Sequence, residues 1–205
     1  SLDGIINWLT ALKSKYELEV TPVDIFDIKD WVISESEIRH NEHKFFKVIA
    51  TEVEISNREV KRWTQPLVQP AQDGIIAFIV KKINGIYHFL VQAKMECGNF
   101  DVLELAPTVQ CLTGSYEGSE NLPFLNDVLN AKPQNIKFSN IQSEEGGRFY
   151  REQNKNILIE AESDFPIELP ENYIWMTLGQ LNTFIKFNNY LNIQARSLLS
   201  AINFI

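Results

Sequence analysis

The sequence predicts a single α+β domain over residues 1–205, on three observations. Apolar residues recur at helical spacing near both ends, alternating apolar segments fill the middle, and no internal repeat, low-complexity tract or linker divides the chain. At 205 residues and 44% hydrophobic, the chain is long enough for one sizeable core and too short for two ordinary domains.

The elements follow in order. Ile5, Ile6, Trp8, Leu9, Leu12 and Tyr16 fall at helical spacings, predicting a helix over 3–15 with Asp3 as its N-cap. A second short helix is expected over 22–31, so residues 1–31 read as a helical N-terminal extension. Strands are expected over 44–55 and 73–83. Asn84-Gly85, a strong short-range hairpin signal, then leads into a strand over 86–95. Residues 101–111 read as another strand, interrupted by Pro107, which cannot donate to a ladder. Either a bulge there re-aims Thr108 and Gln110, or the strand stops. A short helix over 124–130, strands over 136–142 and 156–162, and helices opened by Thr177 and Asn192 complete the chain.

Composition excludes several function classes. The net charge of −8 argues against broad binding to nucleic acid or anionic membrane, which needs a basic face. A small anionic ligand would instead need local cations such as Arg58, Arg62, Lys94 or Arg148. No apolar run approaches the roughly 18 residues of a membrane span, and no basic-then-apolar leader opens the chain, so a soluble, cytoplasmic protein is expected. Cys97 and Cys111 make neither a disulfide framework nor a zinc set, and with three histidines no metal site is expected.

The densest chemistry lies in Gln92-Ala-Lys-Met-Glu-Cys-Gly-Asn99, followed by Leu105-Ala-Pro-Thr-Val-Gln110. Side chains alternate across a strand, so Tyr87, Phe89, Val91, Ala93 and Met95 share one face. His88, Leu90, Gln92, Lys94 and Glu96 share the other. That face is either an ordinary solvated surface or one wall of a pocket for an oxygen-rich ligand, with Leu90 in its middle favouring the pocket.

Trp63-Thr-Gln-Pro66, the Gln-Ala-Lys segment, Glu-Cys-Gly-Asn and Ala-Pro-Thr-Val-Gln resemble the nucleotide-sugar (NDP-hexose) 2,3-dehydratases of deoxysugar biosynthesis. So do Ile38-Arg-His40 leading into Phe45-Phe46, Ser143-Glu-Glu-Gly-Gly-Arg-Phe-Tyr150, Tyr173-Ile-Trp-Met-Thr-Leu178 and Ala195-Arg-Ser-Leu-Leu199. The matches run in order from about residue 30 to about residue 200. Cys97 departs from the pattern, standing where proline is expected, and the sequence holds one copy of a unit that the family carries in tandem. The resemblance implies a Nudix-like core, a mixed β-sheet with helices packed on it, although the spaced glutamates of a Nudix hydrolase are absent. A lone unit would rebuild the paired arrangement as a symmetric homodimer.

The resemblance also implies a reaction: loss of water across C2 and C3 of a nucleoside-diphosphate 4-keto-6-deoxyhexose, with thymidine diphosphate (dTDP) the expected carrier. A base takes the C3 proton, donors stabilise the enolate at C4, and an acid protonates the hydroxyl leaving C2. No redox cofactor is needed, and no Gly-x-Gly-x-x-Gly stretch is present to hold one. Lys94 and Glu96, roughly 7 Å apart on one face, are candidates for enolate or phosphate cation and for acid or base, in that order or reversed; a plain salt bridge is the bland alternative. His88 and Tyr150 are further proton-transfer candidates. For binding, Gly146-Gly147 allows close backbone approach and Arg148 offers a fork to pyrophosphate, with Glu145 in the same run, which would equally serve as a hairpin turn. Trp63 and Gln65 suit a base, one as platform and one at its edge. Gln92, Asn99, Thr108 and Gln110 would complete the contacts to sugar or base. A non-catalytic nucleotide-sugar-binding protein or partner subunit is the alternative reading.

Overall fold

The computed structural model describes residues 1–111 and 122–202. Its chain order is α1 (Leu2–Lys15), β1 (Trp31–Ile33), β2 (Glu37–His40), β3 (Phe46–Glu54), β4 (Arg62–Pro70), β5 (Gly74–Ile83) and β6 (Ile86–Lys94). Then come β7 (Glu104–Ala106), β8 (Val109–Cys111), α2 (Leu125–Leu129), β9 (Ile136–Ser143), β10 (Gln153–Glu160), β11 (Tyr173–Thr177), α3 (Leu178–Phe184) and α4 (Ile193–Ala201). The α+β expectation holds: a large mixed sheet carries helices on both faces, beside a smaller antiparallel sheet.

The large sheet runs β11-β6-β5-β10-β9, with β5 and β10 parallel and the remaining pairs antiparallel. Gly74 to Val80 of β5 is buried along its whole length, as a central strand covered on both faces requires. On one face Ile76, Phe78, Val80, Phe89, Val91 and Ala93 pack against Ile5, Leu9 and Leu12 of α1, Leu181 and Phe184 of α3, and Leu198 of α4. The other face places Ile75, Ala77, Ile79, Leu90, Val109 and Ile157 against Leu125 and Val128 of α2.

At the Asn84-Gly85 turn both residues have positive φ, 50° and 83°, as the hairpin signal demands. From that turn β5 and β6 pair only as far as Val80 and Phe89. Beyond this the strands fork: Gln92–Lys94 of β6 pairs with β7, while Ile75–Ala77 of β5 pairs with β8. Pro107 ends β7 and sits in the turn to β8 at the apex of the fork. Thr108, 1% exposed, pins that apex. Its hydroxyl accepts from Ile79 N at 2.9 Å and donates to Leu90 O, two backbone groups that would have continued the β5–β6 ladder. Tyr190 to Asn192 also enters the fork, since Leu105 N donates to Tyr190 O at 2.7 Å and Asn192 N to Leu105 O at 3.0 Å.

Several expectations need correction. Ser1, not Asp3, caps α1, its hydroxyl accepting from Gly4 N at 3.1 Å. Asp3 lies in the first turn, where its charge suits the helix dipole. Residues 22–31 form only a single 3-10 turn over Ile25–Asp27 before β1. Val23 and Phe26 are exposed there (Phe26 by 79%), so no apolar face is buried to sustain a helix. The smaller sheet, β1-β2-β3-β4, contains three strands that the sequence pattern does not predict. Its edge strand β4 holds Pro66 and Pro70, tolerable because an edge has a free side. β11 is a fourth unpredicted strand. The caps at Thr177 and Asn192 stand, the first as a full capping box with Gln180.

Candidate active site

Strand polarity places the chemistry. β5 begins at the open end of the fork, and β6, antiparallel to it, ends there. Because β10 is parallel to β5, the connection from β9 to β10 hangs from that same end. One end of the sheet therefore carries both the Lys94–Glu96 segment and the glycine-containing hairpin around Arg148.

At the fork, Lys94 Nζ lies 3.9 Å from Glu96 Oε1 and donates to the Gln110 carbonyl at 3.4 Å. Gln110 Nε2 donates to that same Glu96 oxygen at 2.9 Å. Gln110 is 4% exposed and is itself held by Asn192, whose Nδ2 donates to Gln110 Oε1 at 2.6 Å. Asn192 Oδ1 accepts from Ala195 N and caps α4. A fixed chain of amides thus runs from a helix cap to a carboxylate, while the Lys94 and Glu96 side chains stay 24% and 34% exposed. The buried end is tied by hydrogen bonds, and the exposed end is accessible to a ligand.

Asn99 closes the turn after Glu96, its N–H donating to Glu96 O at 3.1 Å. Asn99 Nδ2 is buried with no acceptor among the described residues, which leaves a donor for a ligand. Gln92 lies two residues before Lys94, on the same side of β6, and is partly buried. Glu104, which no sequence motif singles out, pairs directly opposite Lys94. Burial pushes its carboxyl above the usual range; Arg196 opposes this shift and the Glu96 charge adds to it. No local pattern announces Glu104, because its place depends on the register of β7 against β6.

A second cluster stands on the hairpin and the smaller sheet. Trp63 Nε1 donates to Gln65 Oε1 at 2.6 Å, and Gln65 Nε2 donates to Gly147 O at 3.0 Å. The Gln65 amide is occupied on both sides, so it positions Trp63 against the hairpin. Val68 N donates to Arg148 O at 2.9 Å and Tyr150 N to Val68 O at 2.7 Å, stitching the two sheets together. Arg148 is exposed, 3.6 Å from Glu145. A methyl group at Gly146 would meet no heavy atom within 4 Å, so this turn is open to a ligand. Trp63 also lines an open hollow of 620 Å³ with Asn57, Arg58, Glu59 and Val60.

Two predicted residues fall outside both clusters. His88 Nδ1 lies 3.0 Å from Ile86 O beside the hairpin turn. Six residues from Lys94, it is about 20 Å away along the strand. Thr108 is enclosed at the fork apex, with its hydroxyl committed to backbone. Cys97 is an exposed thiol, and Cys111 is buried in β8. Among the described residues no group of three His, Cys, Asp or Glu side chains converges as a metal site, and no helix is long and apolar enough to cross a membrane.

Known proteins share this chain's sequence along nearly all of it. The family model for NDP-hexose 2,3-dehydratase matches residues 2–202. A dTDP-4-dehydro-6-deoxy-alpha-D-glucopyranose 2,3-dehydratase of Saccharopolyspora spinosa is 42% identical over 99% of this chain. Proteins of the same name from Streptomyces violaceoruber and Amycolatopsis orientalis are 37% and 40% identical over 97% of it. The chain spans 42–45% of the length of these relatives. Among solved structures, an ADP compounds hydrolase aligns with TM-score 0.47 at 15% identity, covering 90% of this chain and 94% of that one. With its site motifs lying inside a match that runs from residue 2 to residue 202, the chain belongs to the NDP-hexose 2,3-dehydratase family.

Proposed function

We propose that this chain eliminates water across C2 and C3 of a dTDP-linked 4-keto-6-deoxyhexose. The observation that supports it most is the Asn192–Gln110–Glu96 chain with Lys94 beside it: an ammonium and an oriented carboxylate 3.9 Å apart, close enough to serve neighbouring atoms of one sugar. The names of the relatives supply the substrate class.

The C4 ketone acidifies the proton on C3. Glu96, held by Gln110, is the base that removes it, and Lys94 offers its charge to the oxygen at C4 as the enolate forms. Preorganisation matters because the amide chain fixes Glu96 before substrate arrives, so little reorganisation is left for the reaction itself. Asn99 Nδ2 and Gln92 supply hydrogen bonds to sugar hydroxyls. The open hairpin with Arg148 takes the diphosphate, and Trp63 offers its face to thymine. When the enolate collapses the C2–O bond breaks, the departing oxygen takes a proton from an acid and leaves as water, and the resulting enol tautomerises to a 3,4-diketo sugar.

The test is turnover of dTDP-4-keto-6-deoxyglucose, read as the loss of one water from the sugar by mass spectrometry. The expected result is product from the wild-type chain, and from Glu96→Gln a loss of about 10²–10⁴-fold with nucleotide-sugar binding retained, the range for a positioned acid–base group. Binding without any product from the wild-type chain would replace this reading by that of a nucleotide-sugar-binding subunit.

A further inference from the structure

The proposed reaction needs a second proton-transfer group, an acid for the oxygen leaving C2. His88, at the far end of β6, does not stand beside Lys94 to supply it, and Tyr150 belongs to the hairpin, tied through its N–H to Val68 of β4. Glu104 does stand there. It opens β7 directly opposite Lys94, and directly opposed residues of an antiparallel pair hold their Cβ atoms about 5 Å apart on one face. Leu103 and Leu105 on either side enter the core, which turns Glu104 the other way. Its carboxyl is partly buried, and among the described residues it has no hydrogen-bond or ion-pair partner.

The charged groups acting on Glu104 come from every element around it: Arg196 from α4, Glu96 from the end of β6, and Lys13 of α1 with Asp101 of the loop before β7. Lys13 is already paired with Asp101, and Glu96 with Lys94 and Gln110. Glu104 is thus the carboxyl left over at the fork. Two carboxyls in one site divide naturally into a base and an acid, since like charges this close resist ionising together.

We propose that Glu104 is the general acid of the elimination, delivering its proton to the departing C2 oxygen while Glu96 takes the proton from C3. This rests on the dehydratase reading above. In the first step the C3–H bond breaks, its proton passes to Glu96, and its electron pair forms C3=C4 with the charge on the C4 oxygen beside Lys94. In the second step that charge reforms C4=O, the pair moves into C2=C3, and the C2–O bond breaks as the oxygen takes the Glu104 proton and leaves as water. Tautomerisation then moves one proton off the C3 enol oxygen and puts one on C2, so the carboxyls regain their starting states with no net proton change and no oxidation.

The experiment separates the two steps. dTDP-4-keto-6-deoxyglucose is incubated in D2O, and deuterium entering C3 of recovered substrate is measured alongside diketo product. Glu104→Gln is expected to keep C3 exchange within about threefold of wild type while product falls about 100-fold or more; Glu96→Gln loses both. In Glu104→Ala, added formate is expected to restore product without changing exchange, which a merely structural role for Glu104 would not produce. The wild-type chain gives a readout independent of any variant's folding. The acid must be protonated, so product formation falls as pH rises through the Glu104 titration while C3 exchange persists. Product at the wild-type rate from Glu104→Gln, or exchange and product lost in parallel from a variant that still binds the nucleotide sugar, would overturn the assignment. So would a wild-type alkaline limb shared equally by exchange and product. A wild-type chain that neither exchanges nor eliminates would remove the dehydratase reading itself, and that outcome differs from all of these.

Discussion

Thr108 illustrates how one residue can serve a site without touching a ligand. In sequence it belongs to an Ala-Pro-Thr-Val-Gln motif beside the candidate acid, which made it a natural ligand contact. In the structure its hydroxyl replaces the ladder hydrogen bonds that β5 and β6 surrender on parting, one to Ile79 N and one to Leu90 O. Thr108→Val keeps the shape and removes both bonds, leaving a buried donor and a buried acceptor unpaired. The expected cost is about 1–3 kcal/mol for each such group, read as a lower denaturation midpoint. Stability unchanged by Thr108→Val would mean that the fork does not depend on this pin. Gln110 and Asn192 resemble Thr108 in being buried and committed, yet their chain ends on Glu96, so in the proposed reaction they orient the base as well as the fold. The motif told which residues matter; the division between pins, orienters and reacting groups needed the register of the fork.

At the scale of the element, α1 is the helix whose docking can be set by pH. Ile5, Leu9 and Leu12 bury its apolar face on the sheet, and its far end is tethered by Glu171. Glu171 accepts from Lys15 at 2.6 Å and from Tyr16 Oη at 2.7 Å, and its carbonyl accepts from Trp8 Nε1 at 2.9 Å. Lys13 pairs with Asp101 in the loop that leads to Glu104. Lys15, and then Tyr16, hold the Glu171 carboxyl below its ordinary range, and Lys13 does the same for Asp101. Both folded-state values are depressed, so these tethers act fully above the unfolded carboxylate range near about pH 4 and fade as pH falls through the folded values. Exposed pairs of this kind contribute little to global stability and are screened by salt. The expected signal is therefore local: amide exchange in α1, relative to β5, speeds up on acidification, and less so in Glu171→Gln. Equal behaviour of α1 and β5 across that range would show that apolar packing alone holds the helix.

For the whole molecule, the sequence made the large sheet legible and the small one nearly invisible. β5 and β6 announced themselves through an unbroken apolar run, an Asn-Gly turn and an alternation broken mainly at Leu90. β4 did not, because Arg-Trp-Thr-Gln-Pro-Leu-Val-Gln-Pro mixes polarity with two prolines, which only an edge position excuses. β1 and β2, of three and four residues, are too short to show a period, and Trp31 falls at the end of an expected helix that has nothing to pack on. The site divides in the same way. Lys94, Glu96 and Gln92 were legible because they lie along one segment, whereas Glu104 and Asn192 join them only through strand register and the entry of residues 190–192 into the fork. The proposed chemistry requires the hexose at the mouth of this fork with its diphosphate directed toward the hairpin. A crystal structure of the Glu96→Gln variant with dTDP-4-keto-6-deoxyglucose tests this most directly. The expected density places the sugar ring against the Lys94 and residue 96 side chains, its C4 oxygen toward the Lys94 ammonium, and phosphate oxygens at Arg148. Sugar density bound elsewhere, with Lys94 contacting only protein atoms, would contradict it.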